Sequence, residues 1–281
     1  MNYLENALKN KKILVAAHRG VNGGNIPCNS LECFIAAINQ GADIVELDVS
    51  ETKDKKLYLL HPGMEPVHFG RNYHGGDFKN MTSFEADKIY LANQDITETQ
   101  YKIAKFDDVL EELKGKCIIN VDKFWDDPEE ISKAIRRHSM ADQCIVKSNH
   151  PDENTVNMLK KYAYDMQYMA IIRDKNQITP EFYDSGVNFV GCEILFKNDS
   201  DEVISDEFIG ELHKKNKIVW LNSICYNYKD VIAGDHIDDK AVLGDPDYVW
   251  GFMAEKKADI IQTDWTLLCK EYLENKGDRN K

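Results

Sequence analysis

The sequence predicts a single α/β domain, a (β/α)8 TIM barrel with a small insertion between its early strands. Two observations predict it. Eight short apolar runs rich in Val, Ile or aromatic residues recur along the chain, and runs that are apolar throughout suit parallel strands buried on both faces. Helical patterns separate these runs across most of the 281 residues, the alternation that one such barrel requires. A doubly wound open sheet is the alternative. That fold more typically carries a glycine-rich phosphate turn, and no GxGxxG occurs here.

The elements follow in order. KILVAA (12–17) is the first strand and runs into His18-Arg19-Gly20. SLECFIAAINQG has apolar residues at 31, 34, 35 and 38 and a stop at Gly41, which reads as a helix. DIVELDV (43–49) is the second strand, and LYLLH (57–61), after the turn-like TKDKK, is a hairpin strand beside the barrel mouth. Residues 62–104 are rich in Gly, His and aromatics and hold the capping box Thr82-x-x-Glu85. They form the insertion over one end of the barrel. CIINVD (117–122), QCIVKS (143–148), MQYMAII (166–172), FVGCEI (189–194), KIVWLNS (217–223) and ADIIQT (258–263) complete the eight. Between them, Asp127-Pro128-Glu129-Glu130 reads as N-cap, Pro at N1 and acidic first turn. Thr179-Pro180 and Asp245-Pro246 repeat that signal, and Ser205 caps DEFIGELHKK, which stops at Asn216. No linker, biased tract or repeat marks a second unit, so 1–281 reads as one domain.

Composition narrows the function. Apolar residues at 43% and charged residues at 30% exclude a disordered tail, a collagen and a coiled coil. Lys+Arg of 35 against Asp+Glu of 48 leaves a net charge of −13, which disfavours nucleic acid as a partner. An anionic substrate then needs a local positive site, from side chains or a bound metal ion. No stretch approaches the length of a membrane span, and MNYLENALKNKK lacks the apolar core of an export signal. Seven scattered cysteines without a CxxC read as reduced, mostly buried thiols, so a cytoplasmic location is expected.

Active residues of such a barrel sit at the C-terminal ends of its strands. Those ends carry His18-Arg19, Glu46 and Asp48, His61, Asp122-Lys123, Lys147, Glu193 and Thr263-Asp264. Glu46 and Asp48 share one face of a strand, about 7 Å apart at Cα. With Asp122 they make a hard oxygen site for one divalent cation, Mg²⁺ or Ca²⁺. His18 and His61 are a candidate acid–base pair, and Arg19 with a lysine suits a phosphate. Taken singly, each reads as a cap, an ion-pair partner or a core histidine. Taken together they are the parts of metal-assisted phosphoryl transfer.

These residues resemble a known family. AAHRG, P-x-N-S, GADIVELDVSETKD and LYLLHP are similar to the HRG, PENT, GAD-x-x-E-x-D-V…TKDG and HD segments of glycerophosphodiester phosphodiesterases. MTSFEADKI, IAKFDDVLEELKGK, KIVWLNS and ADIIQTDW continue the likeness, which covers about 12–270. The resemblance implies a divalent metal and hydrolysis of a small-molecule glycerophosphodiester to glycerol 3-phosphate and an alcohol. It implies His18 and His61 as the acid–base pair, Arg19 on the phosphate, and Glu46, Asp48 and Asp122 as metal ligands. Three departures stand out. Cys28 replaces the glutamate of PENT. Asp122 stands for the usual Glu, with Phe124 where a lysine is expected, so that Lys147 is the candidate for the missing charge and Asn120 an alternative ligand. His61-Pro62 replaces HD. Trp265, or Trp220, stands for the glycerol-contacting aromatic. A lyase that stops at a cyclic phosphate and a non-catalytic phosphoester-binding barrel are the rival readings, the latter because of Cys28.

Overall fold

A computed structural model describes residues 3–225 and 229–280. Among them the strands are, in chain order, β1 (Leu14–Ala17), β2 (Ile44–Glu51), β3 (Leu57–Leu59), β4 (Tyr90–Ala92), β5 (Glu98–Lys102), β6 (Ile118–Asp122), β7 (Cys144–Ser148), β8 (Gln167–Ile172), β9 (Phe189–Ile194), β10 (Ile218–Asn222) and β11 (Ile260–Thr263). β1, β2, β6, β7, β8, β9, β10 and β11 pair in that order, all parallel, and β1 closes the ring by pairing with both β2 and β11. Helices alternate with these strands, so the expected (β/α)8 barrel is present. β3 lies outside the ring, antiparallel on the extension of β2, with Val49 opposite Leu59 and Glu51 opposite Leu57.

The period-2 alternation of each strand builds two apolar layers. Leu14, Ala16, Ile44, Ile118, Ile145, Met169, Trp220 and Ile260 fill the lumen. Leu4, from the helix Tyr3–Lys11, joins this cluster and closes the base. The alternate residues, among them Val15, Val45, Leu47, Ile119 and Val121, pack outward under the helices. Up the lumen the inward column turns polar: Ile44 gives way to Glu46 and Asp48, Ile118 to Asn120 and Asp122, and Ile145 to Lys147. Register holds these levels together, with Glu46 beside Asn120 and Asp48 beside Asp122.

The start signals act as expected at most helices. Thr82, Thr179 and Ser205 each accept from a backbone N–H of the first turn, Asp245 accepts from the Tyr248 N–H (3.1 Å), and Ser30, which the sequence reading did not mark, caps the helix Leu31–Asn39 in the same way. Asp127 accepts none, although Pro128 begins the helix Pro128–Arg137. The insertion carries its own small core, in which Phe69, Phe78, Leu91 and Ile103 pack on Tyr58 and Leu60. It also contains the antiparallel β4–β5 hairpin, which the sequence did not announce because ETQYK has no apolar run. No helix among the described residues is long and apolar enough to cross a membrane.

Candidate active site

β1 ends one residue before His18, and the chain then turns through two left-handed residues, Arg19 (φ 53) and Gly20 (φ 77). Gly20 is required twice over. Its φ favours glycine, and a Cβ there would lie 2.4 Å from Cys33 Sγ. The turn aims the Arg19 N–H at Glu46 Oε2 (2.8 Å) and brings the Arg19 guanidinium Nε to 3.0 Å from Asp48 Oδ2. Asn29 braces Asp48 from the other side. Its Nδ2 donates to Asp48 Oδ2 (2.9 Å) and its Oδ1 accepts from the Asp48 N–H (3.1 Å).

Glu46, Asp48 and Asp122 converge, each with a carboxylate oxygen within 4.8 Å of the others. Glu46 and Asp48 are buried. Burial, and then the charge on Asp48, pushes Glu46 up to about 7. Burial works against ionisation of Asp48 as well, but Arg19 and Lys123 hold its carboxyl below the ordinary range. Three oxygens here, Asp48 Oδ1, Asp122 Oδ1 and Asn120 Oδ1, are buried and accept no hydrogen bond. Buried acceptors without donors are costly, and a hard cation held by oxygens would satisfy them. The donor set therefore fits Mg²⁺ or Ca²⁺.

The histidines flank this set. His18 Nδ1 lies 2.8 Å from Asp264 Oδ1, and a carboxylate accepts, so Nδ1 carries the proton and Nε2 the lone pair. Burial works against a charged His18, but the Asp264 hydrogen bond and charge leave its pKa raised. His61 Nδ1 lies 2.9 Å from the Pro62 carbonyl, which likewise makes Nδ1 the donor and Nε2 the reactive nitrogen. Burial lowers the pKa of His61. Asp264 is itself fixed by Asp238, which is buried and accepts from the Asp264 N–H (2.8 Å), Thr263 Oγ1 (2.8 Å), Ser223 Oγ (2.6 Å) and Trp250 Nε1 (3.0 Å).

The cations differ from expectation. Lys147 does not reach the mouth. It is 1% exposed, its Nζ pairs with Glu193 Oε2 (2.7 Å), and it lies 3.4 Å over the Trp220 ring. An ammonium inside a barrel needs a counter-ion, and Glu193 supplies it. Trp220 is also fully buried and donates to Asn222 Oδ1 and Gln262 Oε1, so it is lumen packing, not a substrate contact. Lys123 instead brings charge to the carboxylates, with Nζ 2.7 Å from Asp122 Oδ2 and 3.9 Å from Asp48 Oδ1. Its left-handed φ of 59 turns the chain just past β6, which offsets the replacement by Phe124. Trp265 is 47% exposed and lines a separate groove with Val21, Asn22 and Gly23. Cys28 is not one of the converging side chains. Burial pushes its thiol up to about 11, and its Sγ sits 4.0 Å from Nδ1 of His68. Asp264, Asn29 and Asp238 were not assigned roles from the sequence. Asn29 lies in P-x-N-S and Asp264 at a strand end, two segments that the sequence itself marks.

Above the lumen a cavity of about 110 Å³ is lined by His18, Glu46, Asn120, Asp122, Lys123 and Arg173, among others. These features define a (β/α)8 barrel with a carboxylate-and-histidine site at its mouth. A family described as a domain of unknown function, DUF4996, matches residues 168–273. A glycerophosphodiester phosphodiesterase from Bacillus altitudinis is 29% identical over 145 residues, 48% of this chain and 58% of its own length. The chain thus spans little more than half of that relative. Two solved structures share the fold. A glycerophosphoryl diester phosphodiesterase from Parabacteroides distasonis matches with a TM-score of 0.74 at 19% identity, over 94% of this chain and 86% of its own. An Oleispira antarctica phosphodiesterase in complex with the product sn-glycerol-3-phosphate matches with a TM-score of 0.64 at 15% identity, over 93% and 96%. In sequence segments and in fold alike, the chain resembles glycerophosphodiester phosphodiesterases.

Proposed function

We propose that this chain hydrolyses glycerophosphodiesters to glycerol 3-phosphate and an alcohol, with one divalent cation, Mg²⁺ or Ca²⁺, and His18 and His61 as acid and base. The observation that carries the reading is the convergence of Glu46, Asp48 and Asp122, with buried oxygens that accept no hydrogen bond, between two histidines that each present Nε2. The named activities of the relatives support it.

Glu46, Asp48 and Asp122 would hold the cation, which when bound neutralises charge on the phosphate and polarises it. Arg19 offers its guanidinium to a non-bridging oxygen, anchored by Asp48 on one side. Lys123, in place of Lys147, adds the second positive charge at the phosphate. One histidine takes the proton of the nucleophile through Nε2, either water or the substrate's own glycerol hydroxyl, and the other gives one to the leaving oxygen; where the glycerol hydroxyl attacks, a water then opens the cyclic phosphate to glycerol 3-phosphate. Asp264 keeps His18 in the tautomer this needs, and the Pro62 carbonyl does the same for His61. Asp238 holds Asp264 in turn.

The test is release of glycerol 3-phosphate from glycerophosphocholine, glycerophosphoethanolamine and glycerophosphoserine, in EDTA and after Mg²⁺ or Ca²⁺ is restored. Phosphorus NMR would follow the products. Metal-restored release is expected. A cyclic phosphate as end product would make the chain a lyase. No turnover of any diester by protein that binds the metal would reject the reading.

A further inference from the structure

Among the described residues, Arg19, Lys123, Lys147 and Arg173 stand at or just beneath the barrel mouth, and the first three are neutralised within the protein. Arg19 pairs with Asp48, Lys123 with Asp122 and Lys147 with Glu193. The fourth, Arg173, is exposed, and its guanidinium has no ion-pair or hydrogen-bond partner among the described residues. Its backbone is nonetheless held in place. Gln177 Oε1 accepts from the N–H groups of Arg173 (2.6 Å) and Asp174 (3.0 Å). The base of the side chain is therefore fixed while its head faces the cavity.

Position gives this charge a use. Arg173 continues the inward face of β8, after Met169 in the lumen core and Ile171 at the mouth. In a ring of eight strands β8 stands four from β1 in either direction, so Arg173 faces His18 across the opening. Both line the same cavity as Glu46 and Asp122. Ile171, Leu195 and Ile232, packed on Trp125, form an apolar cluster at the mouth, and all four line the cavity. A diester with its phosphate at the carboxylates can extend its alcohol over that floor and end beside the guanidinium.

We propose that Arg173 determines specificity: it selects diesters whose alcohol carries a second anionic group, a carboxylate as in a serine headgroup, and binds that group across the mouth from the phosphate site. A planar fork of donors matches a carboxylate, whereas a quaternary ammonium at that point is repelled. The inference rests on the phosphodiesterase reading, and the test separates the two.

The full chain and its Arg173→Gln and Arg173→Lys variants are compared on glycerophosphoserine, glycerophosphoglycerol and glycerophosphocholine. Turnover is read as kcat/KM with metal, and binding by calorimetry with the metal present in a His18→Ala background, where hydrolysis is stopped. The expected result is a preference for the serine diester over the choline diester of at least about tenfold, near 1.4 kcal/mol. Arg173→Gln should collapse that ratio, mainly through KM, and Arg173→Lys should keep part of it. A ratio that is the same in wild type and Arg173→Gln overturns the proposal, as does a wild type without preference. Binding preference that depends on Arg173 in a protein that turns over no diester would sustain the inference and reject the hydrolase. Turnover without preference would do the reverse.

Discussion

His18 and His61 are unlike in their surroundings but alike in one respect, since each directs Nδ1 at a fixed acceptor, which leaves Nε2 as the nitrogen for chemistry. Replacing either by Ala should lower kcat at least about a hundredfold, with the circular dichroism of the folded barrel retained. A variant as active as wild type would remove that histidine from the mechanism. The carboxylates make an opposed pair of expectations. Glu46→Gln deletes a ligand charge and should weaken Mg²⁺ or Ca²⁺ binding at least about tenfold, ~1.4 kcal/mol by calorimetry. Lys123→Met removes an ammonium 2.7 Å from Asp122 and should tighten the same ion, because a like charge no longer competes for the oxygens. Looser binding in Lys123→Met would mean that the lysine orders the carboxylates instead of opposing the metal.

At the scale of elements, the strand ends deliver chemistry and the helix ends hold the frame. The helix Asp206–Lys214 illustrates the second role. His213, in its last turn, lies 3.0 Å from Asp259 Oδ2, and the same oxygen accepts the N–H of Val219, the second residue of β10. The Asp259 hydrogen bond raises the pKa of His213 above its ordinary value. The folded state therefore binds the proton more tightly than the unfolded chain. Its stabilisation is complete below the ordinary imidazole pKa and is lost as pH rises through the raised one. The group is partly exposed, so the effect is small, below about 1 kcal/mol. His213→Gln should lower the midpoint of urea unfolding at pH 5.5 and change it less at pH 9. An equal shift at both pH values would show that charge plays no part. The hairpin β4–β5 was not legible at this scale, and although Asp127-Pro128 marks its helix start correctly, the absence of a side-chain cap bond from Asp127 was not legible either. ETQYK alternates without an apolar run, and whether a side chain reaches a helix N–H depends on backbone angles that composition does not report.

For the whole molecule the sensitive place is the seam where the barrel closes. β1 and β2 share two registered pairs, Ala16 with Ile44 and Ala17 with Val45. Arg279, near the other end of the chain, clamps the base of that seam. It pairs with Asp43 and donates to the carbonyls of Ile13 (2.9 Å) and Gly41 (3.2 Å), with its side chain 1% exposed. Asp43 in turn accepts from the Val15 N–H (2.9 Å). Arg279→Ala leaves a buried carboxylate with part of its partners and should cost about 3–5 kcal/mol in denaturant unfolding. A loss below about 1 kcal/mol would make the clamp incidental.

The sequence by itself determined the architecture and much of the mouth. Eight apolar runs set the strands, and alternation within one strand placed Glu46 and Asp48 on the same face, because both are local periodicities. His18, His61, Arg19 and Asp122 were legible for the same reason, as residues at strand ends. Only the tertiary structure decided which cations reach the carboxylates. Lys147 and Lys123 both end strands, and nothing local separates them. Trp220 and Glu193, the latter held by Asn222 Nδ2, capture the first in the lumen, whereas a left-handed residue past β6 brings the second to the carboxylates. The same holds for Asp264 and Asp238, whose service to His18 exists because closing the ring sets β11 beside β1. Spacing along a chain fixes faces, but the partners of a buried charge are chosen by strands far apart in sequence that closure makes neighbours.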